Sequence, residues 1–294
     1  MADQYLSQLS NLCAIGADKP EETPESTLRA LYFAAAGKPL SARRALTSPV
    51  PELDDKAKIV LSSLVKQRCS GIPLAHIIGR QNFMGVEMLA GPGAMIPRIE
   101  TELLGFETLR ISSSLQKERG TITFIDICTG SGNVVLGVDY YLKSGRAFGS
   151  DISADAIQLA RRNAEFVGLG KKVDFRVGDL FEAFDSIEFW GNVDVITCNP
   201  PYISSSKVST MDREISQYEP REAFDGGTYG LSIMSRVINE APKYLKAYSF
   251  LCLEVGLGQG RFVTRMINNS NLYRDVRALE NSTSEIRVLV AQTK

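Results

Sequence analysis

The tetrapeptide Asn199-Pro-Pro-Tyr202 follows a run of apolar residues and carries the side chains in this sequence that are best suited to chemistry. Pro200 and Pro201 restrict the backbone and remove two N–H donors, so the carbonyl groups there stay unpaired and rigidly oriented. Asn199 adds a side-chain carbonyl, and Tyr202 adds an aromatic face that suits a planar group. A turn alone would explain Asn-Pro but not all four residues. The tetrapeptide therefore presents hydrogen-bond acceptors, rather than an acid or a base, to an N–H group of a substrate.

A glycine-containing loop, Asp126-Ile-Cys-Thr-Gly-Ser-Gly132, is a second candidate for ligand binding. It follows an apolar run that reads as a strand, and a helical pattern begins directly after it. Gly130 and Gly132 allow the backbone to approach a ligand closely. Asp151 follows Gly132 by nineteen residues and ends the next predicted strand, where its carboxylate could accept hydrogen bonds from a ribose diol. This order of strand, glycine turn and helix is typical of a Rossmann-type site.

The glycine loop departs from the dinucleotide-binding form because Val135 occupies the place of its third glycine. A second glycine loop, Gly256-Leu-Gly258-Gln-Gly260, also follows a strand, and we interpret it as structural. The first loop has additional support, because Asp179 and Leu180 end the third predicted strand and would face the same ligand. Asp151 could instead cap the following helix, and Asp179 could be a turn residue.

Short apolar runs alternate with helical patterns after residue 102, where a helix is predicted at 102–115. We predict strands at 122–127, 147–150, 173–177, 193–198 and 250–255, with further strands near 276 and at 286–290. This alternation predicts an α/β fold: a doubly wound, Rossmann-like parallel sheet with helices on both faces. The first and fourth strands are neighbours in such a sheet, so Asn199 would lie beside Gly130 and Gly132.

Three segments are expected from the change in pattern along the chain. In residues 1–70, apolar residues recur at helical spacing, which predicts a small all-helical N-terminal domain. Residues 71–102 are interrupted by proline and glycine and contain a predicted hairpin near 83–89, so we interpret them as a connector. Residues 103–294 would form the α/β domain.

Length and composition exclude several classes of protein. The 294 residues suit about two domains, and 33 Lys and Arg against 34 Asp and Glu give a net charge of −1, which argues against a general nucleic-acid binder. Five cysteines without a C-x-x-C pair fit neither a disulfide framework nor a zinc knuckle, and with His76 as the single histidine no metal site is expected. No basic leader or long apolar run is present, so we expect a cytoplasmic protein without a membrane segment.

The loop 126–132, Asp151, Asp179 and the Asn199-Pro-Pro-Tyr202 tetrapeptide together resemble a class I S-adenosylmethionine-dependent methyltransferase that methylates amino groups. More narrowly, the chain resembles the HemK/PrmC family of protein-(glutamine-N5) methyltransferases, which modify the Gly-Gly-Gln loop of peptide chain release factors. The likeness covers nearly the whole chain. Further matching segments are Pro73-Leu-Ala-His-Ile-Ile-Gly79, Ile96-Pro-Arg-Ile-Glu-Thr-Glu102, Tyr218-Glu-Pro-Arg-Glu-Ala-Phe-Asp-Gly-Gly227 and Glu254-Val-Gly256 with Gln259.

This resemblance implies a role for each motif. It implies that the Asn199 side chain and the Pro200 carbonyl accept the two N–H groups of a substrate amide. Tyr202 would pack against the amide plane, which makes these three the catalytic residues. S-adenosylmethionine would bind at Asp126, Cys128, Thr129, Gly130, Ser131, Gly132, Asp151, Asp179, Leu180 and Asn199. The residues assigned to the substrate side are Arg98, Glu100 and Pro201.

The sequence departs from the pattern of this family at four places. Cys128 stands where the family usually has glycine, and Ile99 stands where it has proline. An aspartate is missing near Thr228 and Tyr229, and the C-terminal Asp-x-x-Gly-x-x-Arg pattern is eroded in residues 280–287. Cofactor features survive better than substrate-side features, as they would in a paralogue with a different acceptor.

Four functions remain open at this point. The first is an amide N-methyltransferase that acts on a protein loop, and the second uses the same cofactor on a small molecule in specialised metabolism. The third is a nucleotide-binding regulatory module without turnover, which the intact Asn199-Pro-Pro-Tyr202 argues against. The fourth is a nucleic-acid amino-methyltransferase, which the net charge of −1 argues against.

Overall fold

Five helices form the N-terminal part of the chain in a computed structural model that describes residues 2–12, 19–142 and 145–294. They are α1 (Ala2–Leu12), α2 (Pro24–Ala35), α3 (Ala42–Thr47), α4 (Asp55–Cys69) and α5 (Leu74–Ile78). The side chains of Thr23, Ser41 and Asp54 cap α2, α3 and α4 by accepting a backbone N–H of the first turn. A common core includes Leu31, Leu61 and Leu74 of α5, so α5 packs with the helices before it. Residues 1 and 13–18 of the predicted helical segment lie outside the described residues.

A β-hairpin follows α5, close to where the sequence predicts one. It consists of β1 (Arg80–Phe83) and β2 (Val86–Leu89), which pair antiparallel. The two turn residues, Met84 and Gly85, have φ angles of 52° and 81°, as a two-residue turn between twisted strands requires. Phe83, Met84 and Met88 are buried against the helices of the α/β part of the chain. The hairpin therefore belongs to the core of the structure.

A seven-stranded sheet forms the centre of the α/β part. Its strands are β3 (Thr123–Ile127), β4 (Arg146–Asp151), β5 (Val173–Val177), β6 (Val193–Cys198), β7 (Leu245–Glu254), β8 (Tyr273–Glu280) and β9 (Ile286–Thr293). The order across the sheet is β5-β4-β3-β6-β7-β9-β8. This confirms the α/β Rossmann-like fold and the neighbouring positions of the first and fourth strands, where Ile127 pairs with Cys198.

The prediction of a parallel sheet is wrong for β9, which is reversed relative to the other strands. β9 runs antiparallel to both β7 and β8, whereas β5, β4, β3, β6 and β7 are parallel to one another. The reason is the short connection of residues 281–285, since a link of this length can join antiparallel strands but cannot make a parallel crossover.

Helices cover both faces of the sheet. The longer ones are α6 (Glu102–Arg119), α7 (Asn133–Leu142), α8 (Ala154–Phe166), α11 (Ser232–Glu240) and α12 (Gly260–Ser270), and two short ones are α9 (Ser205–Val208) and α10 (Arg213–Tyr218). Side chains alternate across β3, so Phe124 joins the core with α6, α7 and α8 while Ile125 joins the core with α11 and α12. Within the described parts of the chain, none of the helices combines the length and the apolar character needed to cross a membrane.

Buried ion pairs attach the N-terminal helices to the segment that follows the Asn199-Pro-Pro-Tyr202 motif. Lys19 and Arg68 each lie 2.9 Å from the Glu214 carboxylate of α10. The Glu22 carboxylate is buried beneath them, 3.8 Å from Arg68. On the opposite side of this junction, the backbone N–H and hydroxyl of Ser41 donate to Glu87 of the hairpin, both at 2.6 Å. Polar contacts thus hold the helical segment against α10 and the hairpin.

The buried Glu22 should make stability depend on pH. Burial raises its pKa from 4.5 to about 7, although Lys19 and Arg68 oppose this change. The folded protein therefore holds the proton more tightly than the unfolded chain, so the stabilisation is present below about pH 4.5 and is lost as the pH rises through 7. Glutamine at this position stays neutral at every pH. We therefore expect the free energy of unfolding of wild type to fall, relative to that of Glu22→Gln, by up to about 3 kcal/mol when the pH is raised from 4.5 to 8.

Urea unfolding of the variant and the wild type at both pH values measures this fall. The matched control is Glu25→Gln, since the Glu25 side chain is exposed three residues further along the chain. An equal pH dependence in Glu22→Gln, Glu25→Gln and wild type would contradict the prediction.

Candidate active site

A crevice lies at the carboxyl ends of β3, β4, β5 and β6, where a doubly wound sheet binds its ligands. It contains a cavity of about 440 Å³, which we call the donor cavity. The predicted site residues that line it are Asp126, Cys128, Thr129, Gly130, Asp151, Asp179, Leu180, Asn199 and Pro201. The structure therefore brings together loops that follow four different strands.

Asp151 and the glycine loop are joined by direct hydrogen bonds. The Gly130 N–H donates to Asp151 Oδ2 at 2.8 Å, and the Ser153 N–H donates to Oδ1 at 3.0 Å. Gly130 has a φ of 54°, a left-handed conformation that favours glycine. The helix after Asp151 is capped by the Ser153 hydroxyl, so the Asp151 carboxylate remains part of the cavity wall. Burial raises the pKa of Asp151, while the backbone N–H donors act in the opposite direction.

Asp126 shapes the floor of the donor cavity. Its side chain is buried and accepts hydrogen bonds from the hydroxyls of Thr129, at 2.7 Å, and Thr197, at 2.6 Å. Burial raises the pKa of Asp126 to about 6, because desolvation disfavours the charged form. Since Thr197 lies on β6, this carboxylate connects the glycine loop to the strand that precedes Asn199.

Three members of the glycine loop have roles in packing and backbone conformation. A side chain at Gly132 would contact Phe175 at 3.0 Å, so glycine is needed for close packing there. The buried Ser131 uses its carbonyl to accept a hydrogen bond from Asn163 at 3.0 Å. Cys128 has a φ of 57°, a left-handed conformation that is strained for a residue with a side chain. This conformation explains why glycine suits the same position in the family that the sequence resembles.

Asp179 and Leu180 form the edge of the donor cavity beyond β5. The Asp179 carboxylate binds the guanidinium of Arg236 on α11, with both oxygens within 3.1 Å of the same nitrogen. The Leu180 carbonyl accepts a hydrogen bond from the buried Ser150 hydroxyl at 3.0 Å. Arg236 was missed by the sequence analysis, because nothing in the local sequence pairs α11 with the loop after β5.

Asn199 lies between the donor cavity and a smaller cavity of about 140 Å³, which we call the acceptor cavity. The Asn199 Nδ2 group donates to Thr101 Oγ1 at 3.3 Å, and the Thr101 hydroxyl lies near the Glu254 carboxylate, where it acts to lower the pKa of Glu254. This contact uses the N–H side of the Asn199 amide and leaves its carbonyl oxygen, Oδ1, for another group. Its Oδ1 atom is buried and has no hydrogen-bond partner among the described residues.

Tyr202 is held by a second part of the same network. Its hydroxyl donates to Glu254 Oε1 at 3.3 Å and accepts from Arg287 at 3.3 Å, and Arg287 also lies 2.9 Å from Glu100. Burial raises the pKa of Glu254 to about 7. The ring of Tyr202 thus reaches the acceptor cavity from a buried anchor.

The loop of residues 256–260 supports the backbone of the motif. Gln259 Nε2 donates to the Tyr202 carbonyl at 2.9 Å, and Gln259 Oε1 accepts from the Gly256 N–H at 3.0 Å. A side chain at Gly256 would approach the Tyr202 ring to 2.9 Å. This second glycine loop therefore underlies Tyr202, while the first lines the donor cavity.

Arg98, assigned to the substrate side by resemblance, lines the acceptor cavity but is largely buried. Its guanidinium forms two hydrogen bonds to the Glu219 carboxylate, at 2.6 and 3.2 Å. The Ile96 N–H donates to the same carboxylate at 2.8 Å. This contact joins two of the matching segments of the sequence, 96–102 and 218–227, into one wall of the cavity.

No role was predicted from the sequence for three residues of this network, which are Thr101, Glu254 and Arg287. A local signal exists for Glu254, since a carboxylate at the end of the apolar run 250–255 must be buried with partners. No such signal exists for Thr101 or Arg287, which approach Glu254 only through folding. Among the described residues, no cluster of His, Cys, Asp and Glu is arranged to hold a metal ion.

Comparison with solved structures supports the fold. A methyltransferase from Pyrococcus furiosus matches with a TM-score of 0.50 and 16% identity, covering 71% of this chain and 89% of that one. A human methyltransferase 10 domain containing protein matches with a TM-score of 0.51 and 16% identity, covering 71% and 88%. At these identities the likeness shows the fold alone, which is the Rossmann-like methyltransferase fold that the sequence predicts.

Comparison of sequences is more specific. A family model described as a methyltransferase domain matches residues 118–254. The release factor glutamine methyltransferase of Thermodesulfovibrio yellowstonii is 32% identical over 242 residues, which cover 82% of this chain and 84% of that protein. The protein of the same name from Bacillus subtilis is 32% identical over 227 residues, which cover 77% of each. Because the likeness extends over most of both chains and confirms the resemblance drawn from the motifs, this chain belongs to the family of release factor glutamine methyltransferases.

Proposed function

We propose that this enzyme transfers a methyl group from S-adenosylmethionine to the side-chain amide of a glutamine in the Gly-Gly-Gln loop of a peptide chain release factor. The observation that carries the proposal is the buried, unpartnered Oδ1 atom of Asn199, where the donor and acceptor cavities meet. A buried acceptor without a partner costs free energy unless a ligand satisfies it. A primary amide, which has two N–H groups, is a ligand of the required kind.

The residues of the donor cavity fit S-adenosylmethionine. Asp126, Asp151 and Asp179 provide carboxylates for hydroxyl groups and a cationic centre, and the volume of about 440 Å³ is in the usual range for a small-ligand site. Of the described residues that line this cavity, Arg221 is the one basic residue, and it is paired with Asp225 at 3.0 Å. This set of groups suits a nucleoside with a positive charge better than a dinucleotide with a pyrophosphate.

The chain's own residues position the acceptor nitrogen. When bound, S-adenosylmethionine supplies a methyl group on a sulfonium whose charge drives the transfer, so no general base is needed for the attack. An amide nitrogen is a poor nucleophile because its lone pair is delocalised into the carbonyl. When Asn199 Oδ1 and the Pro200 carbonyl each accept one N–H of the substrate amide, the lone pair of the amide nitrogen is directed toward the donor cavity. Correct orientation can contribute on the order of 7 kcal/mol or more to the rate.

The surface beyond Tyr202 supports a protein as the acceptor. An open groove of about 750 Å³ runs from Tyr202 past Tyr229 and Leu257, whose side chains are 79% and 64% exposed. A small molecule held in the acceptor cavity would not need this groove, whereas a loop of a larger protein needs room on both sides of its glutamine. Both compared relatives are named for action on a release factor, which supports the same acceptor over a small molecule.

Transfer of labelled methyl to a purified release factor tests the proposal. We expect label on the wild-type factor and none on a factor whose loop glutamine is changed to glutamate, because the amide is the acceptor. If the wild-type factor takes no label while the enzyme still binds S-adenosylhomocysteine, the proposed acceptor is wrong. A small-molecule acceptor then becomes the leading alternative.

Asn199→Ala should nearly abolish this transfer, because it removes the acceptor that orients the amide. Cofactor affinity should change by less than about tenfold, since the loss lies at the acceptor. Asn192→Ala, at an exposed position before β6, is the control and should retain wild-type turnover. Residual turnover of Asn199→Ala above about one tenth of wild type would show that the side chain is not catalytic.

Thr101 should act as a positioning residue for Asn199. Thr101→Val keeps the shape but loses the hydroxyl between Asn199 and Glu254, so we expect kcat to fall about tenfold or more while KM for the release factor changes little. Thr101→Ser keeps the hydroxyl and should restore most of kcat. Steady-state kinetics of the two variants make the comparison. An equal loss in both would indicate a packing role instead.

Asp151 should contribute to cofactor affinity. We expect Asp151→Ala to weaken binding of S-adenosylhomocysteine about tenfold to a hundredfold, the usual effect of losing hydrogen bonds to a charged group. Calorimetry measures the affinity, with Asp155→Ala on the exposed side of α8 as the control. NAD should bind more weakly than S-adenosylhomocysteine, and the opposite order would overturn the assignment of the donor cavity.

A further inference from the structure

We propose that a cavity between the N-terminal helices and the hairpin binds an arginine side chain of the protein that carries the acceptor glutamine. This cavity, which we call the junction cavity, has a volume of about 330 Å³ and is separate from the donor and acceptor cavities. Its lining residues come from the segment before α2, from α3, from β1 and from the start of α6. The main ones are Glu21, Arg43, Leu46, Asn82, Ile99 and Glu102.

Two buried oxygen atoms in the lining residues have no hydrogen-bond partner among the described residues. They are Glu21 Oε2 and Asn82 Oδ1, and the Asn82 side chain is only 9% exposed. Glu21 Oε1 is oriented by a hydrogen bond from Gln81 Nε2 at 3.2 Å, which holds the carboxylate in place. Two unsatisfied acceptors on residues that line one cavity call for a ligand that brings several donors, because a buried acceptor without a donor is costly.

The charge of the cavity favours a cation. Glu21 and Glu102 contribute two negative charges, and Arg43, which lies 3.2 Å from Glu102, contributes one positive charge. The remaining charge of −1 matches one guanidinium. A planar guanidinium has five N–H donors and can reach two acceptors at once, which a compact ammonium does less well. Leu46 and Ile99, 42% and 36% exposed, provide an apolar entrance for the aliphatic stem.

The position of the junction cavity suits a contact with the substrate protein. The turn Ile99–Thr101 separates it from the acceptor cavity: Ile99 lines the junction cavity, whereas Arg98 and Glu100 line the acceptor cavity. Thr101 at the end of this turn contacts Asn199. This inference rests on the proposed function, since an arginine bound here would belong to the same protein as the methylated glutamine. It assigns the departure at Ile99 to substrate binding.

Binding of a small probe tests the cavity without any methyl transfer. We expect N-acetyl-arginine methylamide to bind wild-type protein with a dissociation constant on the order of millimolar, by protein-observed NMR with shifts around Asn82 and Ile99. The neutral isostere N-acetyl-citrulline methylamide should not bind measurably. Glu21→Gln should weaken binding of the arginine probe about tenfold, and Asn82→Ala should weaken it as well. Glu25→Gln, an exposed change nearby, should leave binding unchanged.

Kinetics with the release factor then test the role of the cavity. Glu21→Gln should raise KM for the factor about tenfold with kcat within about twofold, because the cavity lies away from the reacting atoms. The proposal is overturned if the arginine probe does not bind wild-type protein, if the citrulline probe binds equally well, or if Glu21→Gln folds normally and binds the probe unchanged. Each of these three results contradicts the arginine site but not the proposed function. If the probe binds normally but the wild-type factor takes no methyl group, the proposed function alone is contradicted.

Discussion

The buried carboxylate of Glu254 is the constraint on which the acceptor site depends. It ends β7 in a nearly water-free environment, only 2% exposed, where an unpaired charge would be very costly. Arg287 from β9 approaches it to 3.4 Å, the Tyr202 hydroxyl donates to it at 3.3 Å, and the nearby Thr101 hydroxyl acts to lower its pKa. Satisfying this one group therefore brings together the turn before α6, the loop after β6 and the last strand. The antiparallel insertion of β9 beside β7 is what makes Arg287 available there.

The two cavities on either side of Asn199 are built in different ways. The donor cavity is formed mainly by loops that directly follow adjacent strands, and a neighbouring loop holds some of its groups, as Gly130 holds Asp151. Asp179 is an exception, because it pairs with Arg236 on α11. The acceptor cavity is formed by segments distant in sequence, such as those of Arg98 and Glu219, which are 121 residues apart. A substitution in the acceptor cavity must therefore preserve a pair between distant segments. In the donor cavity, the hydrogen bonds between the glycine loop and Asp151 join neighbouring loops.

This difference gives a physical account of where the chain departs from its family. Cys128 replaces a glycine in the donor cavity but keeps the left-handed backbone that glycine would adopt, so the loop retains its shape. On the acceptor side the C-terminal pattern is eroded, yet Arg287 is kept in contact with Glu100, Glu254 and Tyr202. Ile99 and Tyr229, which depart from the family pattern, are exposed. Changes at these positions can alter contacts with a substrate without disturbing the buried network around Glu254.

The sequence by itself determined the fold class, and it predicted residues that the structure brings together around the donor cavity, because strand periodicity, the glycine loop and Asp151 act through neighbours along the chain or on adjacent strands. It also singled out Asn199 and Tyr202, since consecutive prolines restrict the backbone in any context. Only the tertiary structure decided that Asn199 is oriented by Thr101, that Arg236 pairs with Asp179, and that the last two strands run antiparallel. These contacts join segments distant in sequence, and local pattern carries no information about which buried polar groups meet when the chain is packed.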